Sequence, residues 1–358
     1  MKIGFVVDHI YDFDKQLEFG GAEISQKFLK DNLISASVEI RLITAKNILE
    51  LKNVDVIHVH GANKFLLVSF LNLFLRKPLV ITVRDYRLLC NLGMCLLRSD
   101  HICTSQEYLS FDLPYFLKNY SSLKHYPGAI LTSLWQLLPR PFYKFFLKKC
   151  DRVICISAAQ EKIYRSAGIL NTVVIHNLCK FNLSKERRKR KILFAGKYSR
   201  GKGKIIIDEL LPRFLKKYPT WNWVFAGRGG PNINDPRIQS LGKISFQRTL
   251  EIMGQSALVI MPSVWPEPFG RSALDALSVG TPVVASNQGG LPEIVENEKY
   301  GLLAKANTNE FQKALEVGIK RYPWYQEQIV RDLPRLKNKF EVAPVERHVA
   351  IYKALINK

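Results

Sequence analysis

Short apolar runs alternate with amphipathic segments along the whole chain. In the first half, runs of strand length read KIGFVVD, VEIRLIT, DVIHVH, PLVITV, RVICIS and TVVIHN. Helical segments separate them, with one beginning near Gly20-Gly21 and another at Ala158. Apolar strands that alternate with helices indicate a parallel sheet covered on both faces. The first half therefore predicts a doubly wound α/β domain over residues 1–180.

The same alternation restarts after a charged run at 185–191, which is typical of an exposed connector. The new strands read KILFAG, WNWVFAG, ALVIMP and TPVVAS, which predicts a second doubly wound domain over 181–340. A last helix over 341–358 follows, with Ala350, Ile351 and Leu355 on one side. Two such domains imply a cleft between them. Ligands of these sheets bind outside the carboxyl ends of the strands.

The charge balance narrows the choice of partners. Lys and Arg number 53 against 31 Asp and Glu, a formal net charge of +22. This excess predicts attraction to nucleic acid, anionic lipid heads or phosphorylated small molecules. A hydrophobic fraction of 47% excludes disorder and collagen-like repeats.

The cysteines and apolar runs indicate in which cellular compartment the protein is expected. Six cysteines are too few for a disulfide scaffold in 358 residues. Cys90, Cys95 and Cys103 with His101 lack the paired spacing of a structural zinc site, so reduced thiols are favoured and zinc is the alternative. Acidic residues come too early for a secretory signal, and the run at 65–75 is too short to span a bilayer. We expect a cytoplasmic protein, soluble or peripheral on the inner face of the membrane.

One strand-to-helix turn carries the clearest chemistry. The segment 262–277 reads PSVWPEPFGRSALDAL, with Glu267 in the turn and Asp275 about two helical turns further on. Amides at Gly270, Arg271 and Ser272 are unpaired at the helix start and suit a phosphate. A carboxylate beside them suits sugar hydroxyls. The alternative is a helix N-terminus whose acids complement its dipole.

This segment resembles the donor-binding signature of the family 4 retaining glycosyltransferases, which have the GT-B fold. Further motifs of that family are matched in order by GGAE at 20–23, VIHN at 174–177, GKYSRGKG at 196–203, GTPVVAS at 280–286 and GGLPE at 289–293. The resemblance implies an α/β fold of two Rossmann-like domains facing across a cleft. The N-terminal domain would bind the acceptor, the C-terminal domain the nucleotide sugar, and the last helix would cross back to the N-terminal domain.

The resemblance also implies residue roles. Glu267 would bind hydroxyls of the donor sugar, and Asp275 the ribose, where the family has Glu. Lys197 and Lys202 would face the diphosphate, although the family usually has Arg at 197; the alternative is a solvated basic loop. The remaining donor-binding residues would be Gly20, Gly21, Phe269, Gly270 and Arg271.

Two further positions follow the strand PLVITV. Arg84 stands where many relatives have a His that contacts the donor sugar, so a sugar, diphosphate or acceptor contact all stay open. Asp85 would orient Arg84 or an acceptor hydroxyl, with a structural Arg–Asp pair as the alternative. His58 and His60 end the preceding strand and are interpreted as lining residues. With Glu267, Lys202 and Lys197, Arg84 and Asp85 complete the predicted catalytic set.

A basic and aromatic window extends over 113–149. It contains six Lys or Arg residues and no acid. Such a segment suits a membrane interface or a lipid-linked acceptor, whereas the alternative is helices packed against the first sheet. The face would comprise Trp135, Arg140, Lys144, Lys148 and Lys149. No nucleic-acid module surrounds the window, so nucleic acid is not expected.

The prediction is a retaining hexosyltransferase that uses a UDP- or GDP-linked donor and a glycan or lipid-linked acceptor. No cofactor or metal is expected, and Asp12-Phe13-Asp14 is taken as a chance match to the D-x-D metal motif. The alternatives are a GT-B sugar-nucleotide epimerase, which needs no acceptor surface, and a non-catalytic basic scaffold that binds membrane or polyanion.

Overall fold

The computed structural model describes residues 1–7, 20–90 and 140–357. These residues form two compact units. The first contains 1–7, 30–90, 140–175 and 347–357, and the second contains 20–29 and 176–346.

The first sheet is a six-stranded parallel sheet with order β2-β1-β3-β4-β5-β6. Its strands are β1 (Lys2–Val6), β2 (Glu39–Ile43), β3 (Val56–His60), β4 (Leu79–Val83), β5 (Arg152–Cys155) and β6 (Thr172–Val174). The helices along this part of the chain are α1 (Gly21–Ser35), α2 (Phe65–Leu75), α3 (Arg140–Lys149) and α4 (Ala158–Ser166), with a 3₁₀ segment at Ala45–Asn53. Strands β3 and β4 are buried at every position, as expected for a sheet covered on both faces.

The second sheet is also parallel, with order β12-β11-β10-β7-β8-β9. Its strands are β7 (Lys189–Ala195), β8 (Asn222–Ala226), β9 (Ile238–Gly242), β10 (Ser256–Met261), β11 (Val283–Ser286) and β12 (Gly301–Ala304). Its helices are α5 (Lys204–Lys217), α6 (Phe246–Gln255), α7 (Arg271–Ser278), α8 (Leu291–Val295), α9 (Thr308–Arg331) and α10 (Leu333–Lys337). The two predicted doubly wound sheets are confirmed.

The strand order of each sheet reverses at one point. In the second sheet the reversal lies between β7 and β10, so the loops that leave these strands lie side by side at the carboxyl edge. Ligands of doubly wound sheets bind at such a topological switch point. In the first sheet the reversal lies between β1 and β3, and β3 ends at His60.

The chain ends in helix α11 (Ala343–Ile356), which follows a π-helical turn at Asn338–Val342. Residues 347–357 belong to the first unit, where the Tyr352 hydroxyl lies 2.6 Å from Nδ1 of His58 on β3. No helix in 1–7, 20–90 or 140–357 combines the length and apolar character needed to cross a bilayer.

Candidate functional site

The turn after β10 holds Glu267 in a buried position. Its side chain is 3% exposed, and its Oε1 accepts hydrogen bonds from Ser263 Oγ at 2.6 Å and Trp265 Nε1 at 2.8 Å. The Lys202 ammonium donates to the same oxygen at 2.6 Å. Within the described part of the chain, Oε2 receives no side-chain donor. The carboxylate is thus fixed by one oxygen and has the other for a ligand.

Glycine allows the loop after β7 to reach this carboxylate. Lys202 ends a 3₁₀ turn (Arg200–Lys202), and Gly203 follows it with φ +85°. A Cβ on Gly203 would lie 2.0 Å from the Pro262 carbonyl oxygen, so only glycine fits this contact. The Val264 amide donates to the Gly201 carbonyl at 2.9 Å and joins the two loops. The close backbone approach of the two loops therefore brings the Lys202 side chain to Glu267.

A third loop supports the Glu267 backbone. The Gly290 amide donates to the Glu267 carbonyl at 2.8 Å. Gly289 has φ +55°, and a Cβ there would lie 2.1 Å from the same carbonyl oxygen. The GGLPE motif thus fixes the main chain that carries the acid.

Helix α7 begins beside this turn. Gly270 caps it with φ +101°, and its carbonyl accepts from the amides of Ala273 and Leu274. The amides of Arg271 and Ser272 precede these two, have no partner within the helix and form a site suited to phosphate. The Phe269 ring is buried, 5.8 Å from the His176 ring and 6.3 Å from the Phe340 ring between centroids. A donor contact by Phe269 stays a prediction.

Asp275 forms a buried ion pair. It is 5% exposed, and its Oδ1 accepts from Arg271 Nε at 2.7 Å. Arg271 Nη1 also donates to the Leu178 carbonyl at 2.7 Å and to Ser25 Oγ at 3.0 Å. Burial raises the pKa of Asp275 above its usual value, whereas the adjacent guanidinium opposes that rise. A ribose contact by Asp275 also stays a prediction.

The remaining predicted donor residues differ in their surroundings. Gly20 and Gly21 are exposed, and a Cβ on Gly21 would lie 3.1 Å from Arg271 Cβ, so the glycine pair lies at the start of α7. Lys197 is exposed and has no side-chain partner among the described residues.

A separate polar cluster lies at the carboxyl edge of the first sheet. Arg84 Nη2 lies 3.3 Å from His60 Nδ1, and the buried His58 contacts Thr82 Oγ1 at 2.8 Å through Nε2. A guanidinium only donates, so the neutral His60 ring carries its proton on Nε2, which is buried without a partner among the described residues. Asp85 accepts from Arg87 Nε at 2.7 Å, and its predicted role toward Arg84 or an acceptor hydroxyl stays a prediction.

These histidines predict acid sensitivity. Burial, the neighbouring histidines and Arg84 hold the pKa of both His58 and His60 well below 6.5. Both rings are neutral in the folded and unfolded protein above that pH, and below it the unfolded chain binds protons that the folded protein does not. We expect each ring to lower the free energy of unfolding by about 1.4 kcal/mol per pH unit below that point.

Urea unfolding at a series of pH values tests this expectation. The variant His60→Gln should show a shallower loss than wild type between neutral and mildly acidic pH. Equal slopes for the two proteins would show that His60 is protonated in the folded state.

The predicted membrane or acceptor face is described only in part. Lys144, Lys148 and Lys149 are exposed on α3, Arg140 is the first residue of that helix, and Trp135 lies outside the described residues. Asp12 and Asp14, and the group of Cys95, His101 and Cys103, also lie outside them, while Cys90 is buried.

Several contacts of the site were not predicted from the sequence. Ser263 and Trp265 donate to Glu267 from four and two residues upstream, within the segment already singled out. Arg271 and Asp275 stand at the i, i+4 spacing that pairs side chains on a helix, which was the available signal. The contact of His176 with Glu293 at 3.0 Å joins two segments far apart in sequence and gave no signal.

Solved structures share this two-sheet architecture. HepE from Anabaena, crystallised with UDP and glucose, aligns over 99% of this chain and 99% of its own, with a TM-score of 0.66 and 18% identity. The fold is of the GT-B class, as predicted.

Family models match both halves of the chain. "Glycosyltransferase Family 4" matches residues 28–179, and "Glycosyl transferases group 1" matches residues 189–320. The chain belongs to glycosyltransferase family 4.

Two relatives illustrate the similarity. Spore coat protein SA of Bacillus subtilis is 30% identical over 142 residues, 35% of this chain and 38% of that protein. An uncharacterized glycosyltransferase of Methanocaldococcus jannaschii is 26% identical over 296 residues, 75% of this chain and 76% of that protein. The match thus spans little more than a third of the first relative and three quarters of the second.

Proposed function

We propose that the chain transfers a hexose-type sugar from a UDP- or GDP-linked donor to a glycan or lipid-linked acceptor. Transfer occurs with retention at the anomeric carbon and without a metal ion. The observation that carries this proposal is the contact of Lys202 with the buried Glu267 at the switch point of the second sheet. It places a cation suited to a diphosphate directly beside an acid suited to sugar hydroxyls.

The donor sugar binds at Glu267. Three donors fix Oε1 and leave Oε2 to accept from a sugar hydroxyl. Positive charge develops at the anomeric carbon as its bond to the diphosphate breaks. A fixed carboxylate stabilises that charge more than it stabilises the ground state, so the contact lowers the barrier.

The leaving diphosphate binds at the loop after β7 and the start of α7. Lys202, the exposed Lys197 and the first amides of α7 supply positive charge and donors. Together they take the electrostatic role that a divalent cation has in metal-dependent transferases. Asp275 contacts the ribose through Oδ2, since Oδ1 accepts from Arg271.

The bond changes need no enzyme nucleophile. The acceptor oxygen forms a bond to the anomeric carbon on the face that the diphosphate leaves, and the anomeric carbon–oxygen bond to that diphosphate breaks. The acceptor hydroxyl proton passes to an oxygen of the departing phosphate. The products are a glycoside with the donor's configuration and a nucleoside diphosphate.

The acceptor binds at the first unit, where Arg84 and Asp85 follow β4. HepE, which shares the fold at 18% identity, was crystallised with UDP and glucose, and this supports a UDP-linked hexose as the first donor to test. GDP-linked hexoses also offer hydroxyls that Glu267 can bind, so they are tested as well.

A donor panel tests the proposal through thermal unfolding. UDP- and GDP-linked hexoses are each added at increasing concentration, with the free sugars as controls. A donor present at a hundred times its dissociation constant should raise the free energy of unfolding by about 2.7 kcal/mol. No stabilisation by any nucleotide or nucleotide sugar would contradict the proposal.

Product analysis then separates the alternatives. A transferase releases nucleoside diphosphate, whereas an epimerase returns an intact nucleotide sugar of altered configuration. A binding scaffold with a degenerate donor site changes neither.

A further inference from the structure

Helix α2 is apolar on both of its faces. Its residues Phe65 and Val68 are buried. Four others are exposed on the opposite side of the helix: Leu67, Phe70, Leu73 and Phe74. Phe74 is 86% exposed, and the helix contains no charged residue. Single exposed apolar side chains are ordinary on protein surfaces, but a contiguous group of this size indicates an interaction surface.

Helix α3 continues the same surface. Phe142 and Phe145 are exposed on α3, and the Phe70 ring lies 6.3 Å from Phe142 and 4.8 Å from the buried Phe146 between centroids. Strands β3, β4 and β5 follow one another across the sheet, so right-handed crossovers place α2 and α3 on one face. We name this surface the apolar patch: Leu67, Phe70, Leu73, Phe74, Phe142 and Phe145.

Basic residues lie on α3 and at both ends of α2. Segments 64–77 and 140–149 together contain seven Lys or Arg residues and no acid. Lys144, Lys148 and Lys149 are exposed on α3, and the Lys149 ammonium lies 4.6 Å from the Phe145 ring centroid. Arg76 and Lys77 follow the last residue of α2. The patch therefore combines exposed rings and aliphatic chains with cations of one sign.

We propose that the apolar patch is a docking surface for an anionic lipid bilayer. Large apolar side chains enter the boundary between headgroups and acyl chains, while lysines at the rim contact lipid phosphates. Helix α2 has eleven residues, about 16 Å at the helical rise, which is half of a bilayer core. It lies in the interface and does not cross it. A protein partner would need an acidic rim around an apolar groove, and it is an outcome of the test.

The experiment is co-sedimentation of the full chain with vesicles, in the absence of any donor. One set of vesicles contains equal parts phosphatidylglycerol and phosphatidylcholine, and the other phosphatidylcholine alone. We expect binding to the anionic vesicles, weakened by salt because screening shortens the reach of each cation, and little binding to neutral ones. Because no donor is present, the result is independent of the transfer chemistry.

Two variants with matched controls locate the surface. Lys144→Glu, Lys148→Glu and Lys149→Glu together should reduce partitioning to anionic vesicles by about a hundredfold or more, at roughly fivefold per cation. The control triple Lys185→Glu, Lys216→Glu and Lys320→Glu changes net charge equally at exposed lysines of the second unit and should retain most binding.

A second pair of variants tests the apolar component. Leu73→Ser with Phe74→Ser should abolish most binding without altering the charge. The control Leu49→Ser removes a side chain that is 77% exposed in the 3₁₀ segment and should bind as wild type does.

Several outcomes would overturn the proposal. The first is that the wild type does not bind, or that its binding does not depend on salt. The second is that a variant and its control lose binding equally. The third is that the Leu73/Phe74 variant has a lower sedimentation coefficient than the wild type in the absence of vesicles. The last would identify the patch as an interface between protein chains. If the lysine triple unfolds by circular dichroism, the Leu73/Phe74 variant decides, because both of its positions are exposed.

Discussion

Replacing Glu267 with Gln is expected to leave the fold intact and to slow sugar transfer by about a hundredfold or more. Gln has nearly the same shape, and Ser263, Trp265 and Lys202 still find an acceptor oxygen at its amide. The negative charge is lost, and with it the stabilisation of positive charge at the anomeric carbon. The measurement is the initial rate of nucleoside diphosphate release at saturating donor.

The matched control is Glu327→Gln, an exposed acid on α9 in the same unit. It makes the same change of charge and should keep the wild-type rate. A Glu267→Gln enzyme that turns over as fast as the control would remove Glu267 from the reaction. If Glu267→Gln shows no thermal unfolding transition, Glu267→Asp, which keeps the negative charge, is measured in its place.

Replacing Lys202 with Ala is expected to weaken binding of the free nucleoside diphosphate by about tenfold to a hundredfold. The ammonium is the cation that contacts Glu267, and it lies in the loop assigned to the diphosphate. Its removal takes away a charge-assisted donor and leaves the buried carboxylate with two neutral donors. Calorimetry at low and high salt measures the effect, which should shrink as salt screens the charge.

Lys204→Ala is the control for this variant. Lys204 lies two residues further on, is exposed, and pairs with Asp208 across one turn of α5. It should bind the nucleotide as wild type does. Equal affinities for wild type, Lys202→Ala and Lys204→Ala would exclude the loop as a diphosphate site.

Lys197→Ala should lose less nucleotide affinity than Lys202→Ala, since Lys197 has no side-chain partner among the described residues that orients it.

Much of the fold could be predicted from the sequence because buried parallel strands consist of continuous apolar runs. Strands β7, β8, β10 and β11 were all predicted in this way. The edge strand β9, with sequence IQSLG, was not predicted, because it is largely exposed and lacks an apolar run. Strand β12, with sequence GLLA, was not predicted either, because it lacks the β-branched residues that mark β11. The apolar run at 65–75 was recognised, but its exposed side could not be read from the sequence, because only Ser69 and Asn72 interrupt the apolar residues.

The site was predictable only at the level of loops. The motifs placed Glu267 and Lys202 in loops that follow strands, whereas the approach of the two residues depends on the strand order and on backbone contacts at Gly203 and Gly289. Such contacts leave no pattern beyond the glycines themselves. The i, i+4 spacing of Arg271 and Asp275 indicates that the two side chains share a helix face, but it does not show which ligand either one binds.

The anomeric configuration of the product shows directly whether transfer is retaining. The donor selected in the panel is incubated with the wild-type enzyme, a chelator and methanol as a small acceptor. Proton NMR should show a methyl glycoside with the donor's own anomeric configuration, formed in step with nucleoside diphosphate. An inverted glycoside would contradict retention, and transfer that the chelator abolishes and a divalent cation restores would contradict a metal-independent reaction.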